Sequence, residues 1–188
     1  MAVLLSERRQ RAFCALLFTC FVLLAGCAQP QPAYDPVGDL LGLIDQRLAL
    51  ADDVARSKWN SGAAVEDLAR ENEIVTAIGA EAPRYGLDPT VAMEFFRAQI
   101  EASKIVQNAR LTEWRAEKRP KFQNAPDLQR DIRPRLDRLT PELLEALARA
   151  LPDLRAPDAF RQLEIFSASD VAHATAVAPL RHEATRYY

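Results

Sequence analysis

The sequence predicts an all-α protein, a bundle of about six helices, on three observations. Gly is scarce, six in 188 residues. Apolar residues recur at spacings of three and four rather than alternating, and Pro or Gly punctuates the chain between those stretches. A length of 188 residues with 49% hydrophobic side chains suffices for one domain with a buried core. With 24 Lys and Arg against 26 Asp and Glu, a formal charge of −2, the chain is neither disordered nor drawn to nucleic acid by its charge.

The first 36 residues read as an address rather than as part of the fold. Arg8, Arg9 and Arg11 form a basic stretch, and Ala12 to Leu24 is apolar apart from Thr19 and two cysteines. That run is too short for a membrane span and right for the hydrophobic region of a signal peptide. All three cysteines, Cys14, Cys20 and Cys27, lie here. The run ends in Leu24, Ala25, Gly26 and Cys27, which resembles a bacterial lipobox, so residues 1–26 are expected to be removed and Cys27 lipidated. Ordinary cleavage near Ala25 or Ala28 is the alternative. The surroundings of Arg8 and Arg9 do not match a twin-arginine signal. Loss of residues 1–26 leaves 21 basic and 25 acidic side chains, a formal −4. The mature protein is expected in the bacterial periplasm, with residues 27–36 as a proline-rich tether and 37–188 as a single helical domain. With at most one mature Cys, it has no internal disulfide and no thiolate metal site.

Six helical patterns follow. The first is expected over 37–60, ending at Ser61-Gly62, and the second over 64–84, ending at Tyr85-Gly86. The third, over 89–117, opens with Asp88-Pro89, an N-cap followed by proline at the first helical position. After a break across Pro120 to Pro126 the fourth runs from about Asp131 to Ala150, where Thr140-Pro141 marks a second start or a kink. The fifth covers 157–167 and the sixth 169–185. No mature segment is continuously apolar over membrane length, which excludes a pore-forming bundle.

Several polar residues fall on the wrong face. With Leu40 as origin, Ile44, Leu48, Ala51, Val54 and Ala55 occupy an apolar arc of roughly 160° on the first helix. Arg47 and Lys58 fall inside it, in nearly the same direction and about 16 Å apart along the axis, so both can converge on one object. In the second helix Leu68, Ile74, Val75 and Ile78 define the apolar arc. Asp67 and Glu71 lie within it, with Arg70 on its rim. On the third, Ser103 and Gln107 lie among Phe95, Phe96, Ile100 and Val106, whereas Glu94, Arg97, Glu101 and Lys104 are expected to point elsewhere. The fourth includes Arg133 on its leucine face if the helix extends back past Pro134. Any one of these could be a structural salt bridge or a satisfied core amide. As a set, four cations face two carboxylates. That surplus suits a small dianion, with Ser103 and Gln107 as neutral donors.

This joint pattern resembles the all-helical AroQ-class chorismate mutases, the type II fold. It comprises Arg47 in IDQRLALADDVARSKW, Lys58 at its end, Asp67, Arg70 and Glu71 in VEDLARENEIV, and Ser103 and Gln107 in FFRAQIEASKIVQNAR. The continuation IRPRLDRLTPELLEAL is similar to the exported gamma subclass, so the likeness covers almost the whole mature chain. The resemblance implies a monofunctional chorismate mutase, an isomerase of the aromatic amino acid pathway, that rearranges chorismate to prephenate with no cofactor or metal. It implies that Arg47 and Arg133 bind the substrate carboxylates, assisted by Ser103, and that Lys58 and Gln107 donate to the ether oxygen. Arg70 would add positive potential, Glu71 would accept from the ring hydroxyl, and Asp67 would lie near it. Arg130 and Arg135 compete with Arg133, because Pro134 disfavours helical backbone just before it. A homodimer is also implied. Only two His, His173 and His182, are present, which leaves little for a zinc site or a catalytic triad. The competing expectation is a non-catalytic helical lipoprotein that binds a dicarboxylate or a protein partner.

Overall fold

Asp35 caps the first helix, α1 (Pro36–Ser61), by accepting from the Gly38 N–H at 2.9 Å. Gly62 stops it in the left-handed region at φ 76°, a conformation that favours glycine, with its N–H on the Lys58 carbonyl at 2.8 Å. The computed structural model describes residues 34–185, so the expected signal peptide, Cys27 and most of the tether lie outside the described residues. The second helix, α2 (Leu68–Glu81), starts later than its apolar pattern suggests and tightens into a 3-10 turn, Ala82–Tyr85. The third, α3 (Pro89–Ala116), is capped by Asp88, whose carboxylate accepts from the N–H groups of Thr90 and Val91.

The fourth helix differs most from expectation. A wide π-type turn, Leu128–Ile132, leads into α4 (Arg133–Ala150), with the Ile132 N–H on the Asp127 carbonyl at 3.2 Å. Arg133 takes helical backbone angles despite Pro134. Pro134 sits in the first turn of α4, the part of a helix that tolerates proline. Thr140-Pro141 is not a second start: α4 runs through Pro141, and the Thr140 hydroxyl donates to the Leu136 carbonyl at 3.0 Å. A short 3-10 turn, Leu151–Asp153, precedes α5 (Pro157–Ser167) and α6 (Val171–Thr185). Among the described residues there is no strand, and no helix is long and apolar enough to cross a membrane.

Helix α3 lies against α1, α2 and α6, and α4 lies against α1. The core between them is built on Leu40, Ile44, Phe95, Phe96, Leu143, Leu147 and Leu180, all at most 1% exposed. Each such side chain contributes about 1.5–3 kcal/mol by leaving water. Pro179, inside α6, lacks an N–H and loosens its helical ladder. The fully buried Gln99 of α3 ties the two helices by donating Nε2 to the Ala176 carbonyl at 2.8 Å.

A separate aromatic cluster closes one end. Trp114 stacks edge-on with Trp59 (5.9 Å between centroids) and Phe122 (4.8 Å). Asn60 bonds the Phe122 backbone in both directions, donating to its carbonyl at 2.7 Å and accepting from its N–H at 2.8 Å. This pins the loop after α3 to α1 and sets where the chain delivers Arg133.

His173 ties α6 to α1. Its Nε2 lies 3.0 Å from the Asp45 carboxylate, its Nδ1 sits 2.9 Å from Asp170 out of hydrogen-bond alignment, and its ring packs edge-on against Phe166. Partial burial pushes its pKa down, but the contacts with Asp170 and Asp45 together outweigh that and raise it above 6.5. A raised folded-state value gives stability that is full below the unfolded value and lost as pH climbs through the folded one. Melting temperature is therefore expected to fall as pH rises above about 6.5, and His173→Gln to flatten that slope in scans at several pH values.

Candidate active site

One cavity of about 240 Å³ opens between α1, α2, α3 and the start of α4. Arg47, Lys58, Asp67, Arg70, Glu71, Ser103, Gln107 and Arg133 all line it. The apolar part of the wall comes from Val54, Ile74, Phe96, Ile100, Leu128 and Leu136. The structure thus brings together every residue that the helical patterns placed on an inward face with the wrong polarity.

The cations differ in how they are held. Arg47 is 9% exposed, and its only hydrogen bond among the described residues is from Nη1 to the Gln99 backbone carbonyl at 3.4 Å. Burial pushes its pKa down to about 10, which still leaves it charged at neutral pH. A buried guanidinium without a carboxylate partner is costly by several kcal/mol unless an anion joins it. Lys58, half-buried, donates Nζ to the Val65 carbonyl at 2.7 Å. Burial lowers its pKa most, Asp67 and Glu71 push it back up, and Arg133 and Lys104 push it down. Arg133 is partly buried and makes no ion pair among the described residues, whereas Arg130 is spent on Asp131 and Arg135 on Asp53, both outside the cavity. Arg70 stands on the rim, with Nη1 on Glu73 at 3.1 Å and 42% of its side chain exposed.

The neutral donors are pre-arranged. Gln107 is 4% exposed and donates Nε2 to the Ser103 hydroxyl at 3.0 Å, one helical turn away on α3. That leaves its second amide hydrogen uncommitted, and its Oε1 is buried with no partner.

Two expectations need correction. Asp67 is not a helical residue stacked below Glu71; it is the N-cap of α2. Its carboxylate accepts from the Arg70 N–H at 3.2 Å, while Glu71 Oε1 accepts from the Asp67 N–H at 3.1 Å. This reciprocal cap fixes both acids and explains why the helix begins at Leu68 rather than at Ala64. Leu68, at that first position, is 60% exposed rather than part of the apolar face. The second correction is Lys104, which lines the cavity instead of pointing away. Its spacing of three from Gln107 carried that signal. Asp137 and Thr140 of α4 also line the wall and were not singled out from the sequence. With them the wall holds five cations and three carboxylates, so the positive surplus stands.

The family described as chorismate mutase type II matches residues 38–108. The chain is 35% identical over 137 residues to the secreted chorismate mutase of Mycolicibacterium smegmatis, covering 71% of this chain and 75% of that protein. To the secreted chorismate mutase of Mycobacterium tuberculosis it is 28% identical over 145 residues, 76% of this chain and 72% of the other. The crystal structure of chorismate mutase from Burkholderia thailandensis superimposes with a TM-score of 0.68 at 37% identity, covering 77% of this chain and 98% of that one. The Burkholderia phymatum enzyme gives a TM-score of 0.68 at 32% identity, over 78% and 96%. Matched in sequence over most of its length and in fold over nearly the whole of two solved enzymes, the chain belongs to the chorismate mutase type II family.

Proposed function

We propose that the protein is an exported chorismate mutase that converts chorismate to prephenate in this cavity. The observation that carries the site assignment is Arg47, a buried cation with no anionic partner, in a wall whose cations outnumber its acids. Family membership favours this over a non-catalytic binding module. The reaction is an intramolecular rearrangement: the ether C–O bond breaks as a C–C bond forms, and no atom leaves. The protein's part is to hold a flexible dianion in a reactive chair-like shape and to place donors where the ether oxygen gains charge. Arg47 and Arg133 take the two carboxylates, with Ser103 assisting. Lys58 and the free amide hydrogen of Gln107 meet the ether oxygen. Glu71 accepts from the ring hydroxyl, Asp67 holds Glu71 in place through the shared cap, and Arg70 adds potential at the rim.

The direct test mixes the purified mature chain with chorismate and follows its loss and the appearance of prephenate; unchanged chorismate refutes the reading. Arg133→Ala is expected to lower kcat/KM by about 10²-fold, while Arg130→Ala and Arg135→Ala stay near wild type in the same assay. Equal losses for the three would remove Arg133 from the site.

The secreted relatives support export, and we assign the protein to the periplasm as a homodimer held by a lipid on Cys27. Cys27→Ser is expected to move it from the membrane fraction to the soluble fraction on immunoblots of fractionated cells. A wild-type protein already soluble there rules the anchor out.

A further inference from the structure

Lys104 sits where three acids meet. Its Nζ lies 2.7 Å from Glu101, 3.1 Å from Glu71 and 3.7 Å from Glu66, and its side chain is 14% exposed. These contacts are unequal in consequence. Glu101 and Glu66 are 55% and 65% exposed, and pairs with such groups are worth at most about 1 kcal/mol in water. Glu71 is 18% exposed and lines the cavity, so the Lys104–Glu71 pair is the shielded one, where charge acts with less screening.

That pair completes the fixing of Glu71. One carboxylate oxygen, Oε1, accepts from the Asp67 N–H at 3.1 Å, and the other, Oε2, accepts from Lys104 Nζ at 3.1 Å. With both oxygens tied, from α2 and from α3, the carboxylate cannot swing towards Lys58, which feels its charge across the cavity. Lys58 stays on the Val65 carbonyl, with its other hydrogens free for a substrate.

We infer that Lys104 is a positioning residue for the rearrangement: it holds the Glu71 carboxylate aimed at the ring hydroxyl of chorismate and keeps it from pairing with Lys58. The inference rests on the reading of Glu71 given above. It adds to the site a residue that touches no reacting atom and acts through its neighbour.

A double-mutant cycle on the full mature chain tests it, with kcat and KM measured separately for chorismate and folding checked by circular dichroism and melting. Lys104→Met and Glu71→Gln are each expected to lower kcat/KM by about tenfold or more, and the double variant to be no worse than about threefold below Glu71→Gln alone. Lys104→Arg, which keeps a cation at the same place, is expected to recover most of the loss. Should Lys104→Met fail to fold, Lys104→Gln keeps the length and runs the same cycle. A Lys104 variant with wild-type kcat/KM overturns the inference. So does a loss carried in full on the Glu71→Gln background, which would show that Lys104 acts independently of Glu71. If Glu71→Gln itself turns over like wild type, the role of Glu71 fails and this inference with it.

Discussion

Lys58→Ala is expected to lower kcat for chorismate by about 10²–10³-fold while the helical circular dichroism stays unchanged. Lys58 occupies the last turn of α1, half-buried, and its single hydrogen bond among the described residues goes to one carbonyl, Val65, in the loop before α2. Removing it strands no buried charge, and Val65 can turn to water, so the fold loses little. In the proposed reaction, the variant loses the cation assigned to the ether oxygen, where the breaking bond leaves charge. Arg47→Ala follows the same logic from the middle of α1. Taking away a buried guanidinium relieves the folded state of a costly desolvated charge, so stability is expected to hold or rise. Substrate binding is expected to fail, and a large rise in KM is what the assay should read. Parallel collapse of turnover and helicity in both variants would instead mark these residues as structural pairs.

Gln107→Glu should convert a flat pH profile into an acid-dependent one. The amide at 107 donates in any protonation state, whereas a carboxylate there donates to an ether oxygen only when protonated. The side chain at 107 is buried, and Lys58 and Arg133 on the same wall favour the ionised form against the burial that opposes it. At about pH 7.5 the variant is expected to lose about 10²-fold in kcat/KM and to regain much of it towards pH 5. The wild type should stay level across that range, since Arg47 at about 10 remains a cation throughout. Superimposable profiles for the two proteins would remove Gln107 from the ether oxygen.

The helices and most of the site were legible in the chain because both depend on local spacing. Arg47 and Lys58 are placed by one uninterrupted helix, and Ser103 and Gln107 by one turn of another, so 100° per residue suffices. Legibility stopped where a backbone hydrogen bond, rather than an apolar face, decides the geometry. Asp67 looks like a helical residue in VEDLAREN until its carboxylate is seen to cap α2, which moves the start of that helix to Leu68. Arg133 was ambiguous for a different reason. Its partners in the cavity lie far back along the chain, and the wide turn that lets it precede Pro134 leaves no periodic trace. The place of Lys104 on the wall could be read from its spacing to Gln107, but its ion pairs could not, because the three acids come from two helices and the segment before α2, and only one of them is a near neighbour in sequence.

The Asn60–Phe122 latch divides the chain into parts with different tolerance for change. Residues 38–108, the stretch shared with the family, already contain Arg47, Lys58, Asp67, Arg70, Glu71, Ser103 and Gln107, and the latch then meters out the path that brings Arg133. Between Phe122 and Arg133 the length of the chain sets where Arg133 arrives. The exposed segment 117–121 lies upstream of the fixed point and touches α1 through the bond from Trp59 Nε1 to the Pro120 carbonyl at 3.4 Å, so an insertion there is expected to disturb that contact before it reaches the wall of the cavity.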